Sequence, residues 1–247
     1  MSLVQSMEKQ GIFLFKYRGQ FPVLLFILAI PFIYLTDYNS IVKEVQTYFI
    51  YLAIILSALG FIVRFYTIGT TPEGTSGRNT KEQVAEVLNS TGIYSMLRHP
   101  LYLGNYLIWV GIAISTLNPY FIVIMSLIFW LYYERIMFAE ERFLEGKFGN
   151  KFLVWSDALP AFIPTLSAFK KSDTPFSIIT VLRREYASIL AAVFGFCFIE
   201  VFKNFFTDKL WSISTFSLQF LIATAILVLI LRSLKHYTNF LQEQGRS

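Results

Sequence analysis

Six long apolar runs are spaced along the chain, each bounded by polar or charged residues. They cover roughly 21–36, 47–68, 101–117, 119–134, 187–205 and 212–231. A bilayer core of about 30 Å takes about 20 apolar helical residues, so the runs read as membrane helices, several short enough to leave room for one that is re-entrant. Pro31 interrupts the first. Arg64 lies near the end of the second, where a long side chain can snorkel to the interface. Only Asn118 and Pro119 separate the third and fourth, which predicts a tight helical hairpin. Residues 1–20 read as an amphipathic interfacial segment, with Ile12, Phe13 and Phe15 beside Lys16 and Arg18. Residues 69–80 form a polar loop, and 156–176, with three prolines, an extended connector. No small-x-small cleavage site follows 21–36 cleanly, so that run is expected to stay as a helix. The expected fold is all-α and polytopic, divided into an N-terminal interfacial segment and first helix (1–46), a core (47–168), and a connector with two C-terminal helices (169–247).

Composition agrees with a membrane protein. Of the 247 residues 55% are hydrophobic and 15% charged, against about 25% charged in soluble domains. Disorder, a collagen-like chain and a disulfide scaffold are excluded. Cys197 is the one cysteine, and His99 and His236 are the two histidines, so neither a Cys-based zinc site nor a histidine-cluster metal site is expected. The net charge of +5 points to anionic headgroups rather than nucleic acid, because the basic residues flank apolar runs. With six spans, eighteen Lys/Arg fall on one side, and Lys43, Lys203 and Lys209 on the other. The positive-inside rule then puts both termini and the two long loops in the cytoplasm.

Ionisable residues meet the membrane in two places, both on that basic side. The first is Tyr94-Ser95-Met96-Leu97-Arg98-His99-Pro100-Leu101-Tyr102. Pro100 suits the first turn of a helix, which sets Arg98 and His99 just before a helix N-terminus, where an anion is favoured. An interfacial Arg-His pair touching lipid phosphate explains the same pattern equally well, and Tyr94 and Tyr102 suit ordinary interface aromatics. The second place continues the fourth helix out of the membrane, 133–145. Glu134, Glu141 and Glu145 share one face by three- and four-residue spacing, read as a solvated helix end for Glu134 and Glu145. Glu140 sits about 100° round, toward Met137 and Leu144, where a carboxylate calls for a partner.

The segments TGIYSMLRHPLYLGNYLIWVG at 91–111 and ERIMFAEERFLEGKFG at 134–149 resemble the paired motifs of integral membrane methyltransferases, a group that includes isoprenylcysteine carboxyl methyltransferases and phospholipid methyltransferases. The resemblance covers roughly 50–165, about half the chain. Two motifs in order with a hairpin between them are specific where one is weak. Residues 77–82 with the C-terminal helices look like a bacterial branch linked to lipid A phosphate methylation, which implies the bacterial inner membrane. The resemblance implies S-adenosylmethionine as methyl donor, bound without a Rossmann fold in a cytoplasmic pocket; indeed the dinucleotide and phosphate-loop fingerprints are absent. By motif position Tyr94, His99, Pro100, Leu101 and Tyr102 would line its site, Glu140 would be a polar contact, and Glu86, Val87, Leu88 and Asn89 would run along it. In the family an arginine near the glutamate holds the substrate anion. Ungapped counting lands on Ile136, so the role is given to its neighbour Arg135. Phe152 and Trp155 stand where the family often has tyrosines.

The chemistry expected of such a site is in-line methyl transfer, served mainly by positioning and desolvation. Aromatic faces of Tyr94, Tyr102 or Trp109 favour a sulfonium. Arg98, His99 and Glu140 are the catalytic candidates: the first two to hold an anion, and His99 or Glu140 as the base if the acceptor is an amine. The acceptor is read as a lipid-borne group, foremost a lipid phosphate, with a prenylcysteine-type carboxylate or a phospholipid amine as alternatives. A transporter or lipid-binding protein is the rival class. It calls for midplane charges or repeated halves; no repeat is visible, and Glu200, near one end of the fifth run, is the exception among few central charges. An inactive scaffold keeping the fold is a third reading, against which both full motifs argue.

Overall fold

The computed structural model describes residues 2–75 and 83–246, and within these the protein is all-helical. The helices are α1 (Leu3–Lys16), α2 (Phe21–Leu35), α3 (Lys43–Gly69), α4 (Pro100–Ile114), α5 (Pro119–Phe148), α6 (Asn150–Asp157), α7 (Ile178–Asp208) and α8 (Thr215–Tyr237). The stretch 77–82, part of the sequence pattern noted above, lies outside the described residues. Among those described, α3, α5, α7 and α8 are long and apolar enough to cross a membrane, while α2 and α4 are shorter apolar helices. At 15 residues each they are about 22 Å long, less than a bilayer core. All six apolar runs are therefore helices of an integral membrane protein. The 30 residues of α5 extend about 45 Å, longer than a bilayer core of about 30 Å.

Small residues set the closest helix pairing. On α3 and α4 the backbones touch at Gly60 and Gly104: a Cβ on Gly60 would sit 2.6 Å from the Gly104 carbonyl oxygen, and one on Gly104 2.9 Å from that of Gly60. Lipid gives apolar helices no hydrophobic reason to associate, so close backbone contact and interhelical hydrogen bonds do that work. Ser57 Oγ supplies one, donating to the Ile108 carbonyl at 3.2 Å.

The α4–α5 hairpin is present but looser than expected. Helix α4 ends at Ile114, and Ser115 to Asn118 form the turn, with Leu117 at φ 57°. Asn118 caps α5 by accepting from the Phe121 amide at 3.0 Å, and its Nδ2 donates to Thr36 Oγ1 on the other side at 2.9 Å. Helix α1 carries a capping box between Ser2 and Gln5, leaves Ile12 and Phe13 exposed, and packs tightly on α5 at Gly11.

Helix α7 begins at Ile178, nine residues before the apolar run suggests. Those extra turns carry Arg184 and Glu185, both buried. Glu185 takes a bidentate ion pair from Arg64 of α3, Nε to Oε2 and Nη2 to Oε1, each 2.7 Å. Arg64 therefore does not snorkel; it stays inside. Ser177 caps α7 by accepting from the Thr180 amide at 3.0 Å. The tail beyond α8 returns to this corner: Arg246 Nη1 donates to the Gly69 carbonyl at 3.0 Å, and the Ser177 amide donates to the same carbonyl at 2.8 Å.

Candidate active site

Pro100 is the first residue of α4 and His99 its N-cap, with φ −122° and ψ 61°. The corner is held by the connector, as the Arg98 amide donates to the Pro160 carbonyl (3.0 Å) and the His99 amide to that of Ala161 (3.1 Å). Arg98 spends its side chain on the same task. Its Nη1 donates to the carbonyls of Ser156 (2.7 Å) and Leu159 (3.1 Å), while Nε lies 2.8 Å from Glu141 Oε1 in an ion pair off the hydrogen-bond line. Arg98 thus binds the end of α6 to the corner.

His99 faces two adjacent carboxylates of α5. Its Nε2 donates to Glu141 Oε1 at 2.8 Å, and its Nδ1 lies 3.7 Å from Glu140 Oε2. The Tyr102 hydroxyl donates to Glu140 Oε1 at 2.7 Å, and the Tyr102 ring stacks near the imidazole, centroids 5.6 Å apart. Beyond Tyr102 the polar chain continues inward. Tyr133 is 4.7 Å away ring to ring and accepts from Asn105 Nδ2 at 3.1 Å, and Asn105 in turn accepts from Arg64. Across the corner, the Tyr94 carbonyl accepts from Trp155 Nε1 at 3.3 Å. Enclosure pushes the Tyr94 phenol above its ordinary range, and the nearby Glu140 charge pushes the same way.

These groups open on one cavity of about 500 Å³, within the size of small-molecule sites. It runs from the polar corner toward apolar walls on α2, α4 and α7. Tyr94, His99, Pro100, Leu101, Tyr102 and Glu140 all line it, as do Val87, Leu88 and Asn89. Glu86 does not: its side chain packs at Gly74, and its amide donates to the Gly74 carbonyl at 2.9 Å. Arg135 is also elsewhere. Its Nε donates to Gln10 of α1 at 2.9 Å, and Ile136 is fully buried in the core. Trp109 lines the apolar part.

Several lining residues escaped the sequence reading. Glu141, grouped there with a solvated face, is tied to Arg98 and His99. Arg18 approaches from the α1–α2 turn, and Arg184, Glu185 and Ser188 from α7. The signal available for the α7 pair was two charges beside an apolar helix. Gln83 lines the cavity as well, and its buried Nε2 has no hydrogen-bond partner among the described residues.

Residues 48–151, from α3 into α6, match the phospholipid methyltransferase family. The chain is 36% identical over 99 residues to a nickel-cobalt-cadmium resistance protein of Alcaligenes xylosoxydans xylosoxydans, covering 40% of this chain and 44% of the relative. It is 32% identical over 85 residues to a protein-S-isoprenylcysteine O-methyltransferase of Saccharomyces cerevisiae, covering 34% and 36%. A probable protein-S-isoprenylcysteine O-methyltransferase of Oryza sativa subsp. indica is 25% identical over 145 residues, 56% of this chain and 75% of the relative. The chain spans less than half the length of the first two. No solved structure matches.

Proposed function

We propose that this chain, whose residues 48–151 match the phospholipid methyltransferase family, is an integral membrane methyltransferase that transfers a methyl group from S-adenosylmethionine to a lipid or lipidated acceptor at the cytoplasmic face of a bacterial inner membrane. The observation that carries the reading is the convergence of His99, Tyr102 and Glu140, from two helices of the matched segment, on one cavity.

The cavity wall suits the donor. Tyr94 and Tyr102 offer aromatic faces to a sulfonium, Glu140 offers a carboxylate, and the orphaned Gln83 amide is a donor in want of an acceptor. Val87, Leu88, Asn89, Pro100 and Leu101 would complete the donor side. When bound, the donor supplies an activated methyl carbon. His99 and Tyr102 hold Glu140 in place, Arg98 fixes the corner through α6, and the surrounding helices exclude bulk water, so the protein's contribution is orientation and desolvation. A prenylcysteine-type carboxylate is the acceptor that the names of several relatives favour. A lipid phosphate, foremost in the sequence reading, is the second.

The test is transfer of radiolabelled methyl from the donor into membrane lipid extracts. The wild type should label one lipid class, and Glu140→Gln and His99→Ala should each lower labelling by about tenfold or more, the loss of a charge-assisted hydrogen bond. Base-lability of the label separates a methyl ester from an N-methyl product. Failure of the purified protein to bind the donor would overturn the proposal.

A further inference from the structure

We infer that the acceptor side of the cavity is built by segments flanking the family region, with Arg18 before α2 and Arg184 on α7 as determinants that select an anionic oxygen on a hydrocarbon chain and reject an amine. The inference rests on the methyltransferase reading above.

Charge along the wall is the first argument. Among the described residues lining the cavity, Arg18, Arg64, Arg98, Arg184 and His99 face three carboxylates, Glu140, Glu141 and Glu185. Each carboxylate is already held: Glu185 by both nitrogens of the Arg64 fork, Glu141 by Arg98 and His99, Glu140 by Tyr102. The guanidinium groups outnumber the carboxylates, and the donor brings a sulfonium cation. A protonated amine would add a further positive charge, whereas an anion complements the wall.

Position is the second. Both arginines line the cavity with Tyr94, Tyr102 and Glu140, Arg18 from the α1–α2 turn and Arg184 from α7. The two arginines therefore flank the donor corner from different elements. Arg184 is 7% exposed, and the Arg18 guanidinium lies over the Phe15 ring, 3.9 Å from its centroid. Neither belongs to residues 48–151. Beside them Glu185, locked to Arg64, holds the start of α7 against α3.

The third argument is the apolar continuation. One and two turns on from Arg184, at four-residue spacing, α7 presents Ser188 and Ala192 to the cavity, opposite Phe26, Ile108 and Ile112. These small residues leave a groove for a chain. Ala191 lines the same stretch of the cavity and is exposed. An acceptor lying there presents an ionised oxygen to the corner. Its lone pair forms the new C–O bond as the methyl–sulfur bond breaks, that electron pair stays on sulfur as a neutral thioether, and no proton has to leave.

The experiment uses the full chain in detergent micelles with three probes: hexadecyl phosphate, an N-acetyl-S-prenylcysteine and hexadecylamine. Affinity for S-adenosylhomocysteine is measured separately by calorimetry. Both anionic probes, or one of them, should accept label and the amine should not; the better anion identifies phosphate or carboxylate chemistry. Arg18→Gln and Arg184→Gln should each raise KM for the anionic probe about tenfold or more while leaving S-adenosylhomocysteine affinity within about twofold, with partial rescue by Arg184→Lys. Ser188→Leu should block hexadecyl phosphate yet spare a butyl phosphate probe. The inference is overturned if the amine is preferred, if KM is unmoved, or if either arginine variant loses S-adenosylhomocysteine binding as strongly as it raises KM. Absence of S-adenosylhomocysteine binding by the wild type would instead sink the proposed function itself.

Discussion

The ion pair between Arg64 and Glu185 joins α7 to the segment that matches the phospholipid methyltransferase family, and its removal should be far more costly from one side than from both. The two charges form a fork, with two contacts of 2.7 Å and side chains only 13% and 3% exposed. Taking away one partner leaves the other charge buried without its counter-ion, which costs about 3–5 kcal/mol. Arg64→Met and Glu185→Leu should each destabilise by that amount. Replacing both removes the orphan charge, and such hydrophobic replacements are often neutral or stabilising by about 1–4 kcal/mol. Here Asn105 loses its Arg64 donor as well, a net loss of about 0.5–1.5 kcal/mol for one hydrogen bond. The double variant should therefore sit within about 2 kcal/mol of wild type, and the coupling between the sites should exceed about 3 kcal/mol. Reversible unfolding in mixed micelles, followed by tryptophan fluorescence, measures all four corners of the cycle. Additivity of the two single variants to within about 0.5 kcal/mol would refute the account of a desolvated, mutually dependent pair.

Three further outcomes follow from other parts of the structure. Gly60→Leu should lower stability by at least about 1–3 kcal/mol, the usual cost of overpacking, because its Cβ already meets the Gly104 carbonyl at 2.6 Å; an unchanged unfolding midpoint would contradict the close α3–α4 approach. Arg98→Gln should loosen the connector, since it removes the Ser156 and Leu159 contacts, and limited proteolysis should then cut within 156–165 faster than in wild type. Tyr94 supplies a pH dependence. Its phenol is raised in the folded protein by enclosure and by Glu140, so the folded state keeps a proton that the unfolded state gives up near its ordinary value of about 10. Stability from this group is complete below that pH and falls as pH rises through and beyond it. Wild type should lose more stability than Tyr94→Phe between about pH 9 and pH 11, and equal losses would count against the assigned environment.

Length and apolarity made the six membrane helices legible, since a run of that size in this composition has few other fates. The hairpin and the connector were legible too, from Asn118-Pro119 and from three prolines. What local pattern missed were polar residues whose partners are remote in sequence. Arg184 and Glu185 interrupt an apolar run and so appeared to delay α7, yet Glu185 is satisfied by Arg64, 121 positions away. Glu141 shares a helical face with Glu134 and Glu145, but a connector returning past residues 160 and 161 brings Arg98 and His99 onto it. Neither Arg135 nor its neighbour Ile136 reaches the cavity: Ile136 points into the core and Arg135, about 100° round α5, bonds Gln10 of α1.

The division of what was legible follows the architecture of the site. The corner formed by Tyr94, His99, Tyr102 and Glu140 arises from motifs that frame a single hairpin, so a chain segment of some 50 residues specifies it. The opposite wall is assembled from α1, α2 and α7, which lie outside residues 48–151, and α7 is held to α3 by the remote pair of Arg64 with Glu185. A fold arranged in this way can hold the geometry of that corner constant while the flanking helices change charge and groove width. Swapping Arg18, Arg184 and Ser188 should therefore alter which acceptor is taken without disturbing the His99–Glu140 corner. A variant that changed acceptor preference only through residues of the hairpin itself would argue against this separation of the two walls.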